Sequence, residues 1–149
     1  MQTYINLTYD TLTQSITDGN TTSEAYNWAP TAFYGNNLTL CAEISTNTVG
    51  EDLTDLITWR FGLGNLSSTQ NPLVESDNAD FNTIAWSDPA TGKISVLVNT
   101  TSTTLATDLG TKSGKRYYAE ISGTSNTTGD IITVAVFPFN INNTIFKDV

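Results

Sequence analysis

The chain has 149 residues, enough for one domain with a buried core, and its net charge is −9. This charge argues against direct contact with nucleic-acid phosphates or anionic membranes. The absence of histidine and the single cysteine, Cys41, exclude an intrachain disulfide, a Ser-His-Asp triad and a Cys-His pair. Only 14% of residues are charged, and the threonine and asparagine that replace them favour strands joined by loops.

The first predicted elements alternate apolar and polar residues. Residues 3–17 predict either a hairpin or one long strand broken near Asp10. Residues 38–44 predict a strand whose core side begins at Leu38 and repeats at every second position. Cys41 falls on the opposite side of that strand, so we expect a packed thiol and not a nucleophile.

The strongest alternation spans residues 57–63, where Ile57, Trp59 and Phe61 are expected to face the core. Arg60 is expected to point out of the core, either to an interface salt bridge or to solvent. A long polar loop is predicted over 64–78. Loops of this length inside a domain are usually functional or contact a partner.

Residues 80–98 predict a central hairpin: a strand containing Trp86, a turn over 87–92, and a second strand with period-two valines and isoleucine. The predicted core residues of the whole chain are Trp59, Phe61, Trp86, Ile94, Val96 and Ile121.

The last third of the chain predicts one short helix and two strands. The spacing of Leu105 and Leu109, with Ser102 or Thr103 as cap and Gly110 as stop, indicates one or two helical turns. A strand over 116–121, a loop over 123–130 and a strand over 131–137 follow.

The strand over 131–137 is apolar on both sides, so we expect it to be central or covered by a partner. Pro138 is expected to end regular pairing and to leave an apolar C-terminal tail over 140–149. The predicted interface residues are Ile132, Val134, Val136, Ile141, Ile145 and Phe146.

These elements together predict an all-β fold: an Ig-like antiparallel β-sandwich with one short helix, spanning residues 1–149 as a single domain.

Several short motifs occur in an order that points to a family. They are Tyr-Gly-Asn-Asn-Leu-Thr-Leu at 34–40, Asp-Leu-Thr at 52–54, Trp-Arg-Phe at 59–61, Asp-Phe at 80–81 followed by Thr-Gly-Lys-Ile-Ser-Val at 91–96, and Tyr-Ala-Glu-Ile at 118–121. This series resembles a small β-sandwich of tailed-bacteriophage virion proteins, including N-terminal domains of baseplate and fibre proteins. The resemblance implies a module that docks on neighbouring virion subunits. Those proteins usually continue into a fibre or receptor-binding region, so a chain that stops at Val149 is expected to be a connector, plug or decoration protein.

Two binding chemistries are weighed against plain structural roles. Glu75, Asp77 and Asp80 are weak candidates for calcium ligands, but the loop lacks the Asp-x-Asp-x-Asp-Gly frame, and a solvated acidic loop fits better. Aromatic residues could instead form a sugar-stacking platform; core packing is preferred for Trp59 and Trp86. The four residues considered are Trp28, Tyr34, Trp59 and Trp86.

The expected function is a structural virion protein of a tailed bacteriophage that acts by protein–protein contact; the alternative is a carbohydrate-binding module. We expect no catalysis and no cofactor. The expected partners are other virion proteins, and the chain is expected to form a homo-oligomer or to be bound in a lattice. A glycan is a further candidate ligand. No contact with nucleic acid or membrane is expected. The N-terminus lacks an apolar run of signal-peptide length, so synthesis in the host cytoplasm and location in the virion are expected.

Overall fold

A computed structural model gives the fold over residues 3–18, 28–65 and 72–144. These residues form ten strands, one α-helix and two short 3₁₀ turns, at Asn78–Asp80 and Pro89–Thr91. The regular elements are β1 (Thr3–Asp10), β2 (Ser15–Asp18), β3 (Thr31–Phe33), β4 (Asn37–Thr46), β5 (Val49–Gly50), β6 (Leu56–Gly64), β7 (Val74–Ser76), β8 (Lys93–Asn99), α1 (Thr103–Leu109), β9 (Gly114–Ser125) and β10 (Ile131–Asn142).

The strands form two sheets. The first has the order β2-β1-β4-β5, with β8 also paired to β4, and the second has the order β3-β10-β9-β6-β7. β1 and β2 form a hairpin, one of the two predicted arrangements for residues 3–17. The predicted all-β sandwich with one short helix is confirmed. The prediction that all pairs are antiparallel is wrong at two of them, since β1 runs parallel to β4 and β3 runs parallel to β10. Side-chain alternation does not report strand direction, which is why the sequence missed this; the Ig-like assignment stays a prediction.

One apolar core lies between the sheets, supplied by alternate positions of each strand. The predicted core residues Trp59, Phe61, Ile94, Val96 and Ile121 are all buried. The largest fully buried side chains are Tyr117, Phe61, Phe137, Phe139, Leu7, Leu38, Leu40, Ile44, Leu63, Ile94, Leu105 and Leu109.

Trp86 is the predicted core residue that is wrong, since 36% of its surface is exposed. The segment before β8 does not form a regular strand. Its backbone pairs with β8 at two isolated bridges, one at Phe81 and one at Asp88, and the Ser87 hydroxyl bonds to that of Ser95 at 2.6 Å. Phe81 still reaches the core, where its ring stacks on Trp59 with centroids 5.7 Å apart. Because the segment is not a continuous strand, its side chains do not alternate regularly between core and solvent, and the inward position of Phe81 does not imply an inward position for Trp86.

The register of β6 against β9 shifts between Ile57 and Arg60. Thr58 has a φ of 53° at this point. The shift places Leu56 in the core and leaves Ile57 46% exposed. The predicted alternation is therefore correct from Trp59 onward and wrong at Ile57, because one extra residue in a strand reverses the side that preceding residues face.

β10 continues through Pro138, which pairs with Tyr118 on β9. The N–H of Asn140 bonds to the carbonyl of Pro30, away from β9. N–H directions repeat at every second residue of a strand, so the nitrogen of Pro138 also points away from β9 and its missing hydrogen breaks no bond to that strand. The predicted tail is thus wrong over 140–142, which belong to β10. Residues 145–149 lie outside the described residues.

The predicted helix is confirmed as α1. The hydroxyl of Ser102 accepts a hydrogen bond from the Leu105 N–H at 3.4 Å, which makes Ser102 the N-cap, and Gly110 follows the last turn. Leu105 and Leu109 are fully buried and attach the helix to the core.

A polar cluster fixes α1 to β9. The Asp108 carboxylate accepts hydrogen bonds from Lys115 Nζ at 2.8 Å, from the Tyr117 hydroxyl at 2.8 Å and from Asn65 Nδ2 at 3.4 Å. The bond from Lys115 is the main cause that lowers the pKa of Asp108. Burial, followed by the adjacent Asp108, raises the pKa of Tyr117.

Candidate interaction face

The outward side of β10, β9, β6 and β7, here called the outer face, is built from residues that alternate with core positions. Gly62 on β6 lies opposite Glu75 on β7 and opposite Glu120 on β9. Glu120 in turn lies opposite Val136 on β10. These four residues form one row across four strands and point away from the core, because their sequence neighbours point into it.

An open groove of about 960 Å³ lies on the outer face. Gly62 and Gly64 contribute to its lining without any side chain, while Tyr118 and Glu120 line it from β9. Pro72 overhangs the glycines: a Cβ on Gly62 would lie 3.6 Å from Pro72 Cβ, and a Cβ on Gly64 would lie 3.7 Å from Pro72 Cα. The missing side chains of the two glycines therefore let Pro72 pack closely on β6.

Negative charge dominates the groove. Among the described residues that line the groove, Arg60 is the one that carries positive charge, whereas the carboxylates are Glu75, Asp77, Asp80 and Glu120. The Glu120 carboxylate accepts a hydrogen bond from the Thr133 hydroxyl at 2.8 Å, which orients it on the outer face. A surface with this balance attracts cations and repels phosphate.

The calcium candidates do not come together as a metal site. Asp77 Oδ1 accepts a hydrogen bond from the Ala79 N–H at 3.0 Å, and Asp80 Oδ2 accepts one from the Asp77 N–H at 3.4 Å. These bonds form a capping box at the start of the Asn78–Asp80 turn. Throughout the described parts of the chain, no group of three or more acidic, cysteine or histidine side chains is placed to hold a metal ion. Glu75 is therefore not part of such a group.

Exposed aliphatic side chains adjoin the groove. Ile57 and Ile131 lie opposite Thr124 from its two sides and share the outer face with it. Ile131 is 71% exposed, Ile57 46% and Val136 41%. Ile131 and Val136 also line the groove. We call Ile57, Ile131 and Val136 the apolar patch; the polar row of Arg60, Ser122 and Thr133 lies between the two isoleucines and Val136.

The free edge of β10 is poorly suited to strand addition. β3 pairs only with residues 140–142, and no other described strand pairs with β10 on that side. A register shift between Thr133 and Ala135 interrupts the edge, and Pro138 presents no N–H to it. Bulges and proline are the usual means by which proteins block pairing at an exposed edge.

The predicted interface residues fall into different environments. Ile132 is 42% exposed and Val136 41%, so both offer surface to a partner. Val134 is half-buried and packs on the core. The prediction of an interface role is wrong for Ile141, which is fully buried on the inward side of β10 and offers no surface to a partner. The other two, Ile145 and Phe146, lie outside the described residues.

Sequence reasoning missed Ile57, Ile131 and the groove. The alternation predicts a core position for Ile57 because side-chain period alone does not reveal a bulge. Gly62 and Gly64 are a signal that the sequence does contain, since glycine inside a strand often marks a site where another part of the chain or a ligand approaches the backbone closely.

The aromatic residues considered for sugar stacking are mostly internal. Trp59 is buried, and Trp28 and Tyr34 are half-buried against the core. Trp86 is the exposed indole of the four, and Lys93 Nζ lies 5.7 Å from its ring centroid. One side of that ring is therefore already occupied by a cation.

Cys41 shows no sign of nucleophilic activation. It is buried in β4, and burial raises the pKa of its thiol. A thiol with a raised pKa remains protonated at neutral pH and reacts slowly.

The helix that the structure describes is not long and apolar enough to cross a membrane.

Comparison with protein-family models and with curated protein sequences gives no match. Among solved structures, the chain is similar to the N-terminal domain of phage TP901-1 ORF48, with 13% identity, a TM-score of 0.51, and coverage of 95% of this chain and 98% of that one. It also overlaps with NK cell receptor Nkp44 at 15% identity and a TM-score of 0.36, over 79% of this chain and 100% of that one. The first likeness shows a shared fold along almost the whole chain; the second is too weak to show one.

Proposed function

We propose that the protein is a structural virion protein of a tailed bacteriophage: a connector, fibre-attachment or capsid or tail decoration module that acts by contact with other virion proteins. The observation that carries this proposal is the apolar patch, in which Ile57, Ile131 and Val136 are between 41% and 71% exposed on one face. A group of exposed aliphatic side chains costs free energy in water, so it indicates a surface that another protein covers.

The phage setting is supported by the fold. The chain shares its fold with the N-terminal domain of a phage protein over 95% of its length. The series of sequence motifs that resembles phage virion β-sandwiches supports the same setting.

The contact is made by side chains of the outer face and not by adding a strand to β10. The register shift at Thr133 and the missing N–H at Pro138 oppose strand addition. The apolar patch and the groove lie on the neighbouring surface and remain accessible.

The proposal extends to the kind of partner. The net charge of −9 and the acidic groove disfavour nucleic acid and anionic membranes, so the partners are other virion proteins or further copies of this chain in an oligomer or lattice. In this proposal the protein acts in the virion, without catalysis or cofactor.

Incorporation into particles tests this proposal. The full chain and a variant with Ile131→Thr and Val136→Thr are expressed during infection by the phage that carries the gene, and purified particles are analysed by mass spectrometry. We expect the double variant to be depleted by about tenfold, which corresponds to about 1.4 kcal/mol of lost contact free energy. The matched control is Val49→Thr in β5 of the first sheet, where Val49 is 69% exposed; we expect normal incorporation.

Two results would overturn the proposal. Absence of the unaltered protein from particles, together with binding on a glycan array, would favour the carbohydrate-binding alternative. Normal incorporation of the double variant would remove the outer face from the contact.

A further inference from the structure

Resting on the proposed contact function, we propose that Thr58 is a specificity-determining residue of that contact. It is the extra residue of β6, and its hydroxyl bonds to a backbone group of the partner protein.

β6 contains one residue more than β9 at the register shift. Between the pairs made by Ile57 and Arg60, β6 has two residues, Thr58 and Trp59, where β9 has one, Gly123. Trp59 is buried and Thr58 is exposed, so Thr58 is the extra residue. Without it, Ile57, Trp59 and Arg60 would simply alternate between the outer face and the core. The core therefore does not use the side chain of Thr58.

The backbone of Thr58 has a conformation that disfavours threonine. Its φ of 53° lies in the left-handed region, which glycine adopts freely and a β-branched residue adopts only with strain. Bulges whose first residue is left-handed usually have glycine at that position. Stability alone would favour glycine here, and an outlier of this kind points to a role outside the fold.

Thr48 shows a left-handed threonine that has a local cause. Its φ is 69°, but Asn47 and Thr48 form the two-residue turn between Thr46 and Val49, which pair across β4 and β5. Tight hairpin turns of this type require positive φ at both central residues. Thr58 lies inside a strand, where no turn explains its conformation.

The surrounding chain accommodates the extra residue. The N–H of Trp59 donates a hydrogen bond to Asn78 Oδ1 at 3.2 Å. On β9, a Cβ at Gly123 would lie 3.0 Å from Leu56 Cβ and 3.4 Å from Trp59 Cε3. A turn on one side and a glycine on the other thus fix the bulge, which gives Thr58 a defined position on the surface.

That position adjoins the apolar patch. Thr58 follows Ile57, which is 46% exposed and shares the outer face with Ile131. Aliphatic side chains contribute buried area without direction, whereas a hydrogen bond depends on the orientation of both groups. A threonine hydroxyl both donates and accepts, so it suits either an N–H or a carbonyl of the partner backbone. Thr58 therefore supplies the orientation that the apolar patch lacks.

The test is a competition during infection. The unaltered chain and one variant are expressed together, and mass spectrometry compares their ratio in purified particles with their ratio in the lysate. Thr58→Ala should be depleted about fivefold, the effect of one lost neutral hydrogen bond. Thr58→Ser keeps the hydroxyl and should be depleted by less than about twofold.

Thr58→Gly separates contact from stability. It relieves the left-handed strain and should raise the melting temperature by about 2 °C, yet it should be depleted from particles about fivefold. The matched control is Thr48→Gly, which relieves the same strain at an exposed residue of the first sheet. We expect a similar rise in melting temperature with normal incorporation.

Three results would each overturn the inference: normal incorporation of Thr58→Gly, a lower melting temperature for Thr58→Gly, or equal depletion of Thr58→Ser and Thr58→Ala. If the unaltered chain enters particles in these experiments, the contact function stands and only the role of Thr58 is lost. If the unaltered chain is itself absent from particles, the proposed function fails and the inference fails with it.

Discussion

The two sides of β10 differ sharply in exposure although they are made by neighbouring residues. On the inner side, Phe137 is 2% exposed and Phe139 and Ile141 are fully buried. On the outer side, Val136 is 41% exposed and Ile131 is 71% exposed. The same strand thus supplies the core that holds the sandwich together and the apolar surface proposed to bind a partner.

This difference indicates that the stability of the fold and the proposed contact with a partner depend on alternate residues of one strand. A substitution on the inner side removes buried apolar area, whereas one on the outer side changes surface that is already in water. Stability and assembly are therefore expected to respond to different residues, and the following variants test that separation.

The largest expected effect is at Phe137. Phe137→Ala should lower the free energy of unfolding by about 3–5 kcal/mol, because it removes a buried ring and leaves a cavity. Its neighbour Val136→Thr should change it by no more than about 0.5 kcal/mol. Urea unfolding followed by tryptophan fluorescence measures both; equal losses would show that the two sides are not distinct.

An intermediate effect is expected at the polar cluster. Tyr117→Phe removes the hydroxyl that donates to Asp108 at 2.8 Å and should cost about 1–2 kcal/mol. Tyr118→Phe, one residue further on the outer side, is the matched control and should stay within about 0.5 kcal/mol. A larger loss for Tyr118 than for Tyr117 would contradict the assignment of inner and outer sides.

The smallest expected effect depends on pH. The hydrogen bond from Lys115 holds the pKa of Asp108 below that of an unfolded-state aspartate, about 3.9. The stabilisation is therefore present above about pH 4 and is lost as the pH falls through the folded-state pKa. Asp108→Asn should be less stable than the unaltered chain by under about 1 kcal/mol at pH 7, with a difference that shrinks toward pH 2. Unfolding curves across this range are the measurement; a gap that grows on acidification would be the opposite result.

Local patterns predicted much of the fold. The alternation over 38–44, the spacing of Leu105 and Leu109, and the apolar run after residue 130 each identified a real element. The errors at Ile57 and in the tail have a common physical origin. A bulge reverses side-chain direction, and a proline is tolerated at a strand edge when its nitrogen points outward; neither is encoded in a simple period of two.

The groove was beyond local reasoning for another reason. Its lining includes a row in which Gly62 is aligned with Glu75 on one side and Glu120 on the other, and that alignment depends on the register of three strands distant in sequence. The sequence contained the glycine and both glutamates but not their juxtaposition. Trp86 shows the same limit, since its exposure follows from the irregular path before β8.

Site-specific photo-crosslinking tests the central claim most directly. A benzophenone side chain is introduced at Val136 on the outer face, and in a matched sample at Val49, an exposed valine of the first sheet. Purified phage particles are then irradiated, and crosslinked subunits are identified by mass spectrometry. The outer-face account predicts crosslinks from position 136 to a neighbouring virion subunit and few from position 49. Crosslinks from position 49 with none from position 136 would contradict it.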